Sequence, residues 1–246
     1  MLDLTRFQAL TFDCYGTLID WEAGIVAAAA PALAAAGRSA TADEVLETFG
    51  RFEHAHEEGD PAPLYPEVLA RTWLDMAPAL GLPADAGVAQ TFGASVPAWP
   101  AFPDSAAALA VLRKHYRRMG ILSNVHLTGI GASRQRLSTE AGDPFDFVVT
   151  AEQTGTYKPH PRHFDRAREI LAADGIQPAQ WLHVAQSLFH DHGPAKQLGL
   201  SSVWIDRRAN KPGAGATPVA DGSWGLRVTS MAEFAAAVAQ AFAAKS

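Results

Sequence analysis

The feature that most limits what this chain can fold into is an alternation that begins after Pro103. Apolar runs of strand length at 118–124, 145–150, 181–186 and 202–206 take turns with helix-length segments at 104–115, 128–139, 161–173, 189–198 and 231–244. Strands separated by helices in this rhythm pair in parallel through right-handed crossovers, with helices on both faces of the sheet. A further apolar run at 8–13, Gln-Ala-Leu-Thr-Phe-Asp, adds a first strand. Cys14-Tyr-Gly-Thr-Leu18 follows as a turn in which Gly16 can take dihedrals closed to other residues. From Trp21 to Trp99 no strand candidate occurs. Helices are predicted there at 22–36, stopped by Gly37, at 41–58, where Thr41 and Glu44 have capping-box spacing, and at 66–80 and 84–96. Residues 210–223, rich in Gly, Pro and Ala, read as a loop. The predicted fold is α/β: a doubly wound, Rossmann-like parallel-sheet core of residues 1–20 and 100–246, carrying an inserted all-helical cap domain of residues 21–99.

Charge and cysteine content then exclude whole classes of function. A formal net charge of −6 over 246 residues gives nothing to draw the chain to nucleic acid or anionic lipid. Cys14 is the one cysteine, so no intrachain disulfide can form. Residues 1–10 lack a basic region followed by a long apolar run, and the alanine-rich stretch 25–36 holds Pro31 and is too short to span a bilayer. The expectation is a soluble cytoplasmic protein with no nucleic-acid or membrane partner; a homodimer is compatible with these features and not selected by them.

Ligands of open parallel sheets bind beyond the carboxyl ends of the strands. Asp13, Ser123, Asn124 and the segment 186–191 all fall at such ends. Taken singly, each has a plain structural role: Asp13 as a turn former, Thr17, Ser123, Asn124 and Asp191 as caps, Lys158 as a solvated surface charge. Taken together they supply a carboxylate able to form a covalent intermediate, an ammonium able to keep it ionised, and hydroxyl and amide groups to orient it. His54 and His56, and His160 and His163, are not joined by a cysteine or carboxylate into a tetrahedral metal set, so they read as ordinary histidines.

Phe12-Asp-Cys-Tyr-Gly-Thr-Leu18, then Ser123-Asn124, then Tyr157-Lys158-Pro159, then Asp191, arrive in an order and spacing that resembles the haloacid dehalogenase superfamily, and within it the L-2-haloacid dehalogenase type. The resemblance implies Asp13 as nucleophile, Lys158 and Asp191 as its charged partners, and Thr17, Ser123 and Asn124 as groups that orient it and hold an anionic substrate. Tyr15, Arg51, Tyr65 and Gln186 join Ser123 and Asn124 in the expected substrate pocket. Two departures separate the chain from the phosphatases of that superfamily. Their second aspartate, which protonates the leaving alkoxide, is Tyr15 here, a poor acid–base group near neutral pH because its ordinary pKa is about 10. Their metal-binding aspartate in the fourth motif is Gln186. Both imply a metal-independent hydrolase with no cofactor, and halide needs no proton in order to leave. The dehalogenase pattern has gaps as well. The cap arginine expected to touch substrate aligns with Thr48, with Arg51 one turn on and Arg38 and Arg71 elsewhere in the cap. A tyrosine expected after the lysine motif is Phe164, and an asparagine of the fourth motif is Leu188. Hydrolytic dehalogenation of a short 2-haloacid is the leading expectation. A magnesium-dependent phosphatase and a degenerate small-acid binder are the alternatives.

Overall fold

The computed structural model describes residues 2–59, 61–209, 215–217 and 220–245. Six strands form one sheet: β1 (Ala9–Phe12), β2 (Arg118–Ser123), β3 (Phe147–Thr150), β4 (Trp181–Ala185), β5 (Ser201–Ile205) and β6 (Leu226–Val228). They lie in the order β3-β2-β1-β4-β5-β6, and every pairing is parallel. β1 and β4 are buried along their whole length, as strands covered by helices on both faces must be. The chain winds outward from β1 through β2 to β3, then crosses back to β4 and winds the other way. The order therefore reverses between β1 and β4, and the crevice at that switch point opens beyond Phe12 and Ala185.

The described residues from 21 to 99 form helices and connections and no strand: α1 (Trp21–Ala35), α2 (Ala42–Phe52), α3 (Tyr65–Ala79) and α4 (Ala86–Gly93). Side chains cap three of them, with Asp20 accepting from the Ala23 N–H, Thr41 and Glu44 closing a capping box, and Asp85 accepting from the Val88 N–H. Trp73 and Phe92 join α3 to α4 with ring centroids 5.0 Å apart, and Phe49 of α2 packs on Phe92. Trp99, fully buried, lies against Gly24 of α1, where a Cβ would come within 2.3 Å of the indole. The helical insert on a Rossmann-like core is thus the observed architecture. No helix among the described residues is long and apolar enough to cross a membrane.

The later helices are α5 (Ser105–Leu112), α6 (Leu127–Leu137), α7 (Ala151–Thr154), α8 (Arg162–Ala173), α9 (Gly193–Gln197) and α10 (Met231–Ala243). Several differ from the sequence expectation for identifiable reasons. The helix expected at 84–96 stops at Gly93, and a short 3₁₀ turn, Val96–Ala98, takes over where Pro97 cannot continue an α-helix. The helix expected at 189–198 is a π-helical turn, Leu188–His192, followed by α9, because Pro194 has no N–H for the regular ladder. The helix expected at 41–58 ends at Phe52 and tightens into a 3₁₀ turn, His54–His56, which leaves Glu53 and Glu57 buried. β6 has no counterpart in the sequence reading, since three residues are too few to show a period. Of the loop expected at 210–223, residues 210–214 and 218–219 lie outside the described residues.

Candidate active site

Asp13 is the first residue past β1, and its N–H donates to the Val184 carbonyl at 3.0 Å, which holds it between β1 and β4. Gly16, at φ +94°, makes the turn that follows. A side chain there would be strained and would also meet Gln186 Oε1 and Trp21 Nε1 at 3.2 Å. The turn brings the Thr17 hydroxyl onto Asp13 Oδ2 at 2.6 Å, while Thr17 Oγ1 accepts from the Gln186 N–H at 2.9 Å. Thr17 thereby ties the end of β1 to the end of β4.

The Lys158 ammonium is buried and makes three contacts: Asp13 Oδ1 at 2.9 Å, Asp191 Oδ1 at 2.7 Å and the Leu122 carbonyl at 2.9 Å. Asn124 fixes the backbone that carries it. Its Oδ1 accepts from the Lys158 N–H at 2.6 Å and its Nδ2 donates to the Lys158 carbonyl at 3.1 Å. Burial alone would lower the Lys158 pKa, but the two aspartates outweigh it and keep the ammonium above its ordinary range. Burial would raise Asp191; Lys158 and His183 reverse that and hold it well below the carboxylate range. For Asp13 burial wins, with Asp191 adding to it and Lys158 and Thr17 opposing, so its carboxyl titrates above the ordinary range.

A buried relay stands behind Asp191 that the sequence reading missed. The Trp181 indole donates to Thr11 Oγ1 at 2.7 Å, Thr11 Oγ1 lies 2.8 Å from His183 Nδ1, and His183 Nε2 lies 2.9 Å from Asp191 Oδ1. A carboxylate can only accept, so the ring proton belongs on Nε2 and the Thr11 hydroxyl donates to Nδ1. The recoverable signal was period 2: Thr11 in β1, and Trp181 and His183 in β4, are polar groups facing one side of strands otherwise buried and apolar.

These groups surround a small cavity of about 50 Å³ lined by Asp13, Tyr15, Trp21, Tyr65, Ser123, Asn124, Lys158, Gln186 and Asp191, with Glu53, Glu57 and His190 on the cap-facing side. Among the described residues, Ser123 Oγ and Asp191 Oδ2 are buried with no hydrogen-bond partner. The Tyr15 hydroxyl pairs with Ser133 Oγ at 2.8 Å, and its ring stands edge-on to Trp99. Burial pushes its pKa still higher, which removes it further from acid–base work. Gln186 accepts from Thr217 through Oε1 at 3.3 Å and from Trp204 through its carbonyl at 2.9 Å. With a phenol at 15, an amide at 186 and Lys158 seated between the two aspartates, the residues here do not fit the magnesium site of a phosphatase, which needs converging anionic oxygens.

The cap side corrects two expectations. Arg51 does not reach the cavity. It is exposed and lies over the Phe52 ring, because it is two residues beyond buried Phe49 and so about 200° around the helix, following the 3.6-residue period. Arg38 and Arg71 are exposed as well. The cap presents carboxyls instead: Tyr65 donates to Glu53 at 3.1 Å, and burial pushes Glu53 up to about 8, with Glu57 adding to it. Burial also pushes Glu57 up to about 8, against the pull of Lys158 and Asn124. The second correction concerns His54, which does have a carboxylate partner, Glu57, with His190 beside them. Of the aromatics, Trp21 and Tyr65 line the cavity, Phe49 and Trp99 are core, and Phe164 packs on Trp181 and His183.

Comparison with known proteins shows the family and the fold. The family model for the haloacid dehalogenase-like hydrolases matches residues 7–197. The (S)-2-haloacid dehalogenase of Xanthobacter autotrophicus is 35% identical over 134 residues, 52% of this chain and 47% of that protein. The glyceraldehyde 3-phosphate phosphatase of Pyrococcus furiosus is 33% identical over 69 residues, 28% of each chain. The chain thus spans less than half the length of these two curated relatives. The solved structure of L-2-haloacid dehalogenase from Xanthobacter autotrophicus superposes with a TM-score of 0.75 at 20% identity, covering 95% of this chain and 98% of that one, which shows a common fold. The chain belongs to the haloacid dehalogenase-like hydrolases.

Proposed function

We propose that this hydrolase cleaves the carbon–halogen bond of short 2-haloacids through a covalent ester on Asp13. The observation that carries the reading is the buried Lys158 ammonium bridging Asp13 and Asp191 while the phenol at position 15 is committed to Ser133. A carboxylate oxygen of Asp13 attacks the halogen-bearing carbon from behind, and the halide leaves with the bonding electron pair, inverting the carbon. No acid is needed at that step. Water then adds to the Asp13 carboxyl carbon and Lys158 stabilises the oxyanion that forms; the bond from that carbon to the product oxygen breaks, one water proton passing to the departing 2-hydroxy acid and the other to solvent as the Asp13 carboxylate is restored. Asp191 Oδ2, buried on the cavity wall and unpaired among the described residues, is placed to hold the water. The Ser123 hydroxyl is the free donor for the substrate's carboxylate.

A magnesium-dependent phosphatase is the second reading, favoured by the likeness to phosphatase relatives such as that of Pyrococcus furiosus. A screen for halide release from chloro-, bromo- and fluoroacetate and both 2-chloropropionate enantiomers, run beside phosphate release from simple phosphate esters, separates the two. Halide release that disappears in Asp13→Asn, with the fold intact by circular dichroism, is the expected result. Phosphate release with no halide release would overturn it.

A further inference from the structure

We propose that His54, Glu57 and His190 form a binding site for a divalent transition metal, zinc by its donor set, at the seam between cap and core. One ligand atom from each residue lies within 4.8 Å of the others, and His54 Nδ1 is 3.2 Å from Glu57 Oε2. Around a tetrahedral zinc with bonds of about 2.0–2.1 Å, donor atoms stand about 3.3 Å apart, so the closest pair is already at the spacing required. Small side-chain rotations bring in the third. Two histidines and one carboxylate leave a fourth position open, as in zinc sites that hold a water or a substrate oxygen.

His190 carries the independent argument. Its Nε2 is buried and has no hydrogen-bond partner among the described residues. Its Nδ1 is 3.2 Å from Ser187 Oγ, which also accepts from the His190 N–H at 3.0 Å. An Nδ1–H donated to that hydroxyl leaves the Nε2 lone pair free for a ligand, the arrangement that a hydrogen-bonded second nitrogen gives to a metal-bound imidazole. A buried ring nitrogen without a partner is a cost unless something binds it.

The oxygen donors gather on the same side. The cavity wall collects the carboxyl groups of Asp13, Asp191, Glu53 and Glu57, and Lys158 is the one Lys or Arg among the described residues that line it. Lys158 Nζ is already bound to two of them. The site is also reachable. Glu57 lines both this cavity and a neighbouring groove of about 690 Å³, in which His54 lies and from which an ion can enter. His54 and Glu57 come from the cap and His190 from the turn after β4, so a bound ion ties cap to core. If the 2-haloacid reading holds, and only then, its open position supplies the cation for the substrate carboxylate that Arg38, Arg51 and Arg71 cannot.

The test is metal binding to the whole, untagged protein, which does not depend on any substrate. After treatment with a chelator and its removal, Co²⁺ is titrated while the visible d–d band is recorded, and Zn²⁺ is titrated by calorimetry. One equivalent of each is expected. His54→Ala, Glu57→Gln and His190→Ala should each weaken binding at least tenfold, whereas His160→Ala, a groove histidine outside the cluster, should not. Circular dichroism and thermal melts check that each variant folds. Absence of binding, or binding equal in wild type, His54→Ala and His190→Ala, overturns the site. Lactate, the product expected from 2-chloropropionate, is then added to the Co²⁺ form. A changed band supports the anchoring role, and an unchanged one removes that role while leaving the site in place.

Discussion

Replacing Lys158 with methionine removes the charge but keeps most of the volume of a side chain that three acceptors surround. The ammonium lies 2.9 Å from Asp13 and 2.7 Å from Asp191. At an effective dielectric of about 20, one such pair of unit charges is worth about 6 kcal/mol, an upper figure because each carboxylate spreads its charge over two oxygens. Removing one partner of a buried pair costs about 3–5 kcal/mol in practice. If most of that is expressed as protonation of the carboxylates left behind, the shift is about 2–4 pKa units. Burial already raises Asp13, and losing the cation raises it further. The sign follows from the proposed chemistry: if Asp13 attacks as the anion, kcat/KM falls as pH drops through its pKa, and a higher pKa moves the acid limb upward. The expected result for Lys158→Met is an acid limb displaced upward by about 2 units or more, with turnover on that limb, at a fixed pH below the shifted pKa, falling accordingly. Lys158→Arg should recover little, because Asp13, Asp191 and the Leu122 carbonyl converge on one nitrogen and a planar guanidinium cannot meet all three. The assay is the pH–rate profile of halide release, with circular dichroism as the folding control. An acid limb within about half a unit of wild type in a folded Lys158→Met would refute the reasoning.

In a single turnover in ¹⁸O-water, the label should enter Asp13 and not the hydroxy acid; label in the first-turnover product would mean that water attacks the substrate carbon directly. Added Mg²⁺ should leave turnover unchanged, since Tyr15 and Gln186 stand where metal-using relatives need carboxylates, and strict dependence of activity on Mg²⁺ would count against the dehalogenase mechanism. Gly24→Ala should destabilise the fold by about 1–3 kcal/mol in urea titrations, because the new methyl would overlap the buried Trp99 ring; an unchanged midpoint would show that the cap gives way more easily than its packing implies.

How much of the site could be read from the sequence depended on how far each residue's direction is fixed locally. Asp13, Ser123 and Asn124 sit at the ends of buried parallel strands, and a strand that must satisfy its ladder has one carboxyl end, so their convergence needed nothing beyond the alternation of elements. Lys158 is farther from a strand end, yet Asn124 holds its backbone with two hydrogen bonds, and the short Thr-Tyr-Lys-Pro segment was readable as a unit. The cap was different. Whether Arg51 or Glu53 faces the core turns on a helix that stops at Phe52 and tightens, and a continuous helix over 41–58 does not show where two glutamates leave solvent. Charged residues are almost never fully buried unless paired, so the reasonable default for Glu53 and Glu57 was a wet surface. That default failed because the other neighbours, Tyr65, Asn124 and His190, are contributed by three separate segments of the cap and core that sequence spacing does not bring together. The same reasoning separates what the two halves can vary. The strand-end residues are tied to the fold itself, whereas side chains on the cap wall can change without disturbing the sheet beneath them.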